Sequence, residues 1–176
     1  QKKKSTSSFE LSSDDISIYN SHFILTDENK ESNQRLLDFR ELNINVNDFL
    51  IFGPEVSTQI NGMSFLDPRG IEMQLLQTKF KYSLSCMSFQ DLKVQTLNSM
   101  IQGDLEFNYK REDLKYFSDK VQLDANFKNS TINLGELNLF FTEFSSSETV
   151  TFDSKMTGTL NSLPLQKFQL KSNDTR

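Results

Sequence analysis

The chain has 176 residues, with 36% hydrophobic residues, 16 Phe, no Trp and a net charge of −5. The length suits one domain or a stretch of a repeat array, and the hydrophobic content is low for an ordinary globular domain. The acidic balance, with no basic cluster interleaved with aromatics, argues against nucleic acid as a partner.

One cysteine, Cys86, and one histidine, His22, leave no intrachain disulfide, cysteine metal site, multi-histidine site or histidine-based triad to build. No window of about 20 apolar residues is present to span a bilayer as a helix. No signal-peptide pattern opens the chain, and its polar ends read as those of a piece of something longer.

Residues 1–8 read as a basic polar loop or tail, and Lys2, Lys3 and Lys4 are too few to anchor it stably on a membrane. The first strand covers Ile16 to Thr26, where Ile16 and Ile18 alternate and Phe23 and Leu25 resume after Asn20-Ser21. His22 is expected as a surface strand residue. Asp27, Asn29 and Glu31 faintly follow a calcium-loop pattern, but Ser32 stands where glycine is needed, so a solvated loop is expected.

Four strands then carry a stutter of the form apolar-x-apolar-x-x-apolar-x-apolar. They are Leu37, Phe39, Leu42, Ile44; Thr58, Ile60, Met63, Phe65; Met73, Leu75, Thr78, Phe80; and Met87, Phe89, Leu92, Val94. In a straight strand the extra residue sends the second half to the wrong face. A β-bulge restores the facing and bends the strand; the other reading is a turn, with Asn61-Gly62 as the favoured site. Three later runs alternate without interruption: Ile101–Tyr109, Val121–Phe127 and Val150–Leu160. Short helices are expected at Arg111–Phe117 and Leu134–Phe144, and a last strand at Leu165–Leu170.

The expected fold is therefore all-β, with roughly ten short strands in a sandwich, a barrel or a repeating sheet. The recurrence of one pattern favours the repeating sheet. No phosphate-cradling glycine loop occurs, and Asp14-Asp15 lies in a Ser-rich exposed stretch, so no catalytic residue, metal or cofactor is expected. A one-sided apolar sheet must bury that side against something: a second sheet, its own closure, or apolar ligands such as acyl chains.

Several stretches resemble signature strands of the TamB family in its Bacteroidota form. They are Asp38–Asp48, Asn98–Tyr109, Asp113–Val121 with Ala125–Ser130, Leu134–Phe140, and the Gly158-Thr159-Leu160-Asn161-Ser162-Leu163 strand end. The resemblance covers most of 9–171, leaving 172–176 as a polar tail. It implies an elongated, curved, mostly antiparallel meander, a β-taco or half-pipe with an apolar groove. It also implies a periplasmic location in a Gram-negative bacterium, within a protein anchored in the inner membrane outside this segment. The implied function is carriage of phospholipid between the membranes and support of outer-membrane protein assembly, with an Omp85-type outer-membrane barrel as partner.

The residues expected to line the groove collectively are Ile44, Val46, Leu105, Phe107, Leu123, Phe127, Phe152, Met156 and Leu160. The competing readings are a structural scaffold that engages the barrel by strand-edge pairing and an extracellular adhesin or sugar-binding sandwich.

Overall fold

The computed structural model describes residues 9–26, 35–138, 147–162 and 165–171, with backbone alone at 35, 36, 137 and 165–171. Nine strands form one sheet in chain order. They are β1 (Glu10–Thr26), β2 (Arg35–Phe52), β3 (Glu55–Asp67), β4 (Ile71–Tyr82), β5 (Cys86–Thr96), β6 (Met100–Asn108), β7 (Gln122–Asn133), β8 (Thr149–Gly158) and β9 (Leu165–Lys171). Every neighbouring pair is antiparallel, and β1 and β9 are the two edges of an open meander. The all-β fold expected from period-two alternation, and the mostly antiparallel meander implied by the resemblance, are the fold of this chain.

The stutters are bulges. Extra residues sit at Arg40-Glu41 of β2, Asn61-Gly62 of β3 and Gln90-Asp91 of β5, where the pairing steps three residues on one strand against two on its neighbour. Asn61-Gly62 thus lies inside β3 and is not a turn. Five non-glycine residues take left-handed backbone at bulges: Asn20 (φ 44°), Glu41 (50°), Asp48 (52°), Asp91 (52°) and Asn129 (48°). Four of them are Asn or Asp, the side chains that tolerate this region best.

At three bulges the same device recurs. The backbone N–H of Asn20, Asp91 and Asn129 donates to a side-chain oxygen of the next strand: Asn43 Oδ1 at 3.0 Å, Asp104 Oδ1 at 3.0 Å and Asp153 Oδ1 at 2.6 Å. A donor lost to the ladder at the bulge is thereby satisfied. β6 and β8, read as uninterrupted alternation, carry no inserted residue in their pairings.

In β4 the expected facing needs correction. Register sets Leu76, not Leu75, opposite Met63 and Val94, whereas Leu75 pairs with Gln95 on the other face. The extra residue falls at Gln74-Leu75, two residues before the Leu76-Gln77 position that the stutter suggests.

Turns carry their own locks. Asp67 of the Asp67-Pro68-Arg69-Gly70 turn accepts from the Arg69 backbone N–H (2.9 Å) and from its guanidinium (2.8 and 2.7 Å). The Arg69 hydrogen bond holds the Asp67 carboxyl below its ordinary range despite burial. Arg111–Tyr116 forms a 3-10 helix that runs into one α-turn, α1 (Phe117–Lys120), close to the first expected helix. α2 (Leu134–Leu137) opens the second expected helix, whose remainder falls on 139–146, outside the described residues, as are 1–8, 27–34, 163–164 and 172–176.

Candidate functional site: the apolar face

Cross-strand partners point to the same side of a sheet, so the register sorts every strand residue by face. One row runs Ile16–Val46–Ile60–Thr78 and, past the β5 bulge, Leu92–Gly103–Phe127–Ser154. A second runs Ile18–Ile44–Met63–Leu76–Val94–Ile101. A third runs Thr58–Phe80–Phe89–Leu105–Ala125–Met156, and a fourth Ile51–Val56–Tyr82–Met87–Phe107–Leu123. Phe152 joins the same face opposite Ser130.

Eight of the nine expected groove residues therefore lie on one continuous face. Leu160 does not: β8 ends at Gly158, and Leu160 opens a 3-10 turn (Leu160–Ser162) and is 43% exposed. A run of alternation cannot register where the strand stops, because the 3-10 turn places its residues every third position.

The opposite face is polar and cross-linked. Asn45 Nδ2 donates to Ser17 Oγ (2.9 Å), Asn47 Nδ2 to Asp15 Oδ2 (3.2 Å), and Asn61 Nδ2 to Asn45 Oδ1 (2.9 Å) and to Asn47 Oδ1. His22 is a half-exposed residue of β1 whose Nε2 meets Asp38 Oδ1 at 2.7 Å, fitting its expected surface role. Burial pushes the Cys86 thiol up, away from the reactive thiolate.

The apolar face is covered unevenly. Val46, Leu123, Ala125 and Phe152 are buried, while Ile44, Leu105, Phe107, Phe127 and Met156 are half-buried. Among the described residues only eight hydrophobic side chains are buried, and all the strands belong to one sheet. No second sheet lies over this face among them, which leaves the sandwich reading without its second layer.

Aromatic rings organise the surface. Phe80, Phe89 and Phe107 form a track with centroid separations of 5.2 and 6.3 Å, and Phe117 of α1 extends it at 5.3 Å from Phe107. A second cluster joins Phe23, Phe39 and Phe65 at 6.1 and 4.0 Å. All of these separations but the closely stacked Phe39–Phe65 pair fall in the range of favourable aromatic packing.

The hydroxyls on the apolar face are mostly turned into the sheet. Thr58 Oγ1 donates to the Asn47 carbonyl (2.9 Å), Thr78 Oγ1 to the Gln90 carbonyl (2.9 Å) and Ser130 Oγ to the Gln102 carbonyl (3.3 Å). Ser154 Oγ is the exception, buried with no partner among the described residues. The face thus presents carbon and ring edges and little polarity.

Phe80 and Phe89 were legible as stuttered-strand residues. Phe117 was not, because a single ring in a helical turn has no alternation to mark it. Comparison with protein-family models, curated proteins and solved structures finds no match to this chain.

Proposed function

We propose that this chain is a section of a TamB-like periplasmic bridge, whose apolar face carries phospholipid acyl chains between the inner and outer membranes and supports outer-membrane protein assembly. The observation that carries the reading is an apolar face continuous from β1 to β8, half-exposed at its centre and without a second sheet over it among the described residues. The TamB resemblance supplies the setting: an inner-membrane anchor outside this segment and an Omp85-type barrel as partner.

The energetics suit passage over storage. Full burial of a methylene is worth about 0.8 kcal/mol, so a face covering one side of an acyl chain contributes roughly half that per methylene. Among the described residues the four rows hold no charged side chain to fix a headgroup, and successive rows repeat the same chemistry, so a chain is held from water without one deep resting place. The test is Phe107→Asp, with circular dichroism confirming the retained sheet. Transfer of phospholipid between donor and acceptor vesicles is expected to fall to background, and unchanged transfer would sink the reading.

A second reading, scaffolding by strand-edge pairing, draws on β1. This edge strand contains no Lys, Arg or Pro and leaves Ile18, Phe23, Ile24 and Leu25 between 41% and 45% exposed, so its guards against pairing are the carboxylates of Glu10, Asp14 and Asp15 and the bulge at Asn20, and its second half beyond that bulge is open to a partner strand. Proline at Ser17 in β1 discriminates: it would abolish a scaffolding role and leave acyl-chain binding at Phe107 unchanged.

A further inference from the structure

The β6–β7 connection is built unlike the short turns that join β2 to β3, β3 to β4, β4 to β5 and β5 to β6. Tyr109 and Val121, its two ends, are 7% and 1% exposed. Tyr109 is pinned to the β4–β5 turn, its N–H donating to the Ser85 carbonyl (2.9 Å) and its hydroxyl to the Ser83 carbonyl (3.0 Å). Between these anchors none of residues 110–120 is buried.

The segment opens with six residues of 3-10 helix, longer than this poorer hydrogen-bond geometry usually runs, and α1 follows without a side-chain cap. Among the described residues, two side-chain contacts tie its far half to the rest of the fold. Asn161 Nδ2 donates to Asp119 Oδ1 at 2.6 Å, and the Phe117 ring packs on Phe107 at 5.3 Å. Phe107 belongs to the apolar face, so Phe117 lies at the end of the Phe80–Phe89–Phe107 track, where an acyl chain following that track arrives.

We propose that residues 110–120 are a hinged flap between two buried anchors, and that Phe117 is a movable wall of the apolar face which holds the acyl position beside Phe107 until cargo displaces it. The proposal rests on the lipid-carrying reading for its cargo, but the hinge stands on its own geometry. A phenyl ring in this place lowers the cost of an exposed groove when it is empty. Few buried contacts between firm ends are what a low-stability, separately opening unit requires.

Two measurements on this chain separate the claims. In amide hydrogen exchange, residues 111–120 are expected to exchange at least about tenfold faster than β6 and β7. Phe117→Ala is expected to speed them a further two- to tenfold, about the factor of one lost ring pair, with β6 and β7 unchanged. Exchange of 111–120 in step with the flanking strands, or no response to Phe117→Ala, overturns the flap.

In the second measurement, phosphatidylcholine vesicles carrying a fluorescent phosphatidylethanolamine serve as donor. Phe117→Ala is expected to acquire the probe several-fold faster than wild type, and Phe107→Asp to acquire none. Equal rates for wild type and Phe117→Ala overturn the guarding role while the lipid reading survives. A wild-type chain that acquires no lipid overturns the lipid reading and, with it, the flap's cargo.

Discussion

Gly103→Ala offers a sharp test of the sheet geometry behind the apolar face. Gly103 sits in β6 opposite Leu92 and Phe127, with φ at 148°, a value that side-chain-bearing residues rarely adopt. A Cβ there would stand 2.1 Å from the Asn126 carbonyl oxygen and 2.9 Å from both the Asn126 carbonyl carbon and Phe127 Cα. All three are backbone atoms of β7, so relief requires moving a strand.

The φ penalty is about 1–3 kcal/mol and overpacking adds about 1–3 kcal/mol, for a total of about 2–6 kcal/mol. Against a stability of about 5–15 kcal/mol this is a large loss. With a urea slope of about 2 kcal/mol/M, the midpoint of equilibrium unfolding is expected to drop by about 1–3 M. Gly62→Ala is the internal control: its Cβ meets only Leu75 Cδ1 at 3.8 Å, an ordinary contact. Its change is expected within about 1 kcal/mol. Equal midpoints for the two variants would refute the register assigned to β6 and β7.

Further substitutions follow from individual polar groups. Asp104→Ala and Asp153→Ala each remove the acceptor for a bulge N–H and are expected to cost about 0.5–1.5 kcal/mol in urea unfolding, whereas Asp104→Asn, which keeps the oxygen, is expected to cost less. Ser154→Ala removes a buried hydroxyl with no partner among the described residues and is expected to be neutral or to stabilise by up to about 1 kcal/mol; a clear loss would mean the hydroxyl is bonded. Burial raises the Glu136 pKa, but hydrogen bonds from Ser99, Thr96 and Asn98 outweigh it and leave the carboxyl below its ordinary 4.5. Because the folded value is depressed, its contribution is fully present above pH 4.5 and fades as pH falls through the lower folded value. Glu136→Gln should therefore lower stability at pH 7, with the gap to wild type narrowing under acid in chemical-denaturation curves.

Much of the strand pattern was legible because period-two alternation is a direct consequence of a half-covered sheet. β6 and β8 follow it residue for residue, and the bulges at Arg40-Glu41, Asn61-Gly62 and Gln90-Asp91 fall where the stutter requires a restored face. β4 misled because Leu75 and Leu76 are adjacent and both apolar, so alternation alone cannot choose between them; only the pairing with Met63 and Val94 does.

Leu160 misled because hydrophobic periodicity carries no end signal past Gly158, and the chain turns there into a 3-10 helix. The short helices were legible in place more than in type: Arg111–Tyr116 is 3-10, which apolar spacing does not distinguish from α. The contact of Phe117 with Phe107 depends on how a connection folds back over a sheet, and no local pattern encodes that.

The most direct test of the central claim is photocrosslinking to phospholipid from both faces of β6 and β7. A benzophenone amino acid at Leu105, Phe107 or Phe127 faces the apolar side, while one at Glu106 or Asp124, paired with each other, faces the polar side. With phospholipid vesicles supplied to the chain, crosslinked lipid is expected at the first three positions and not at the other two. Equal labelling of the two faces, or none at Phe107, would contradict an acyl-chain-carrying face.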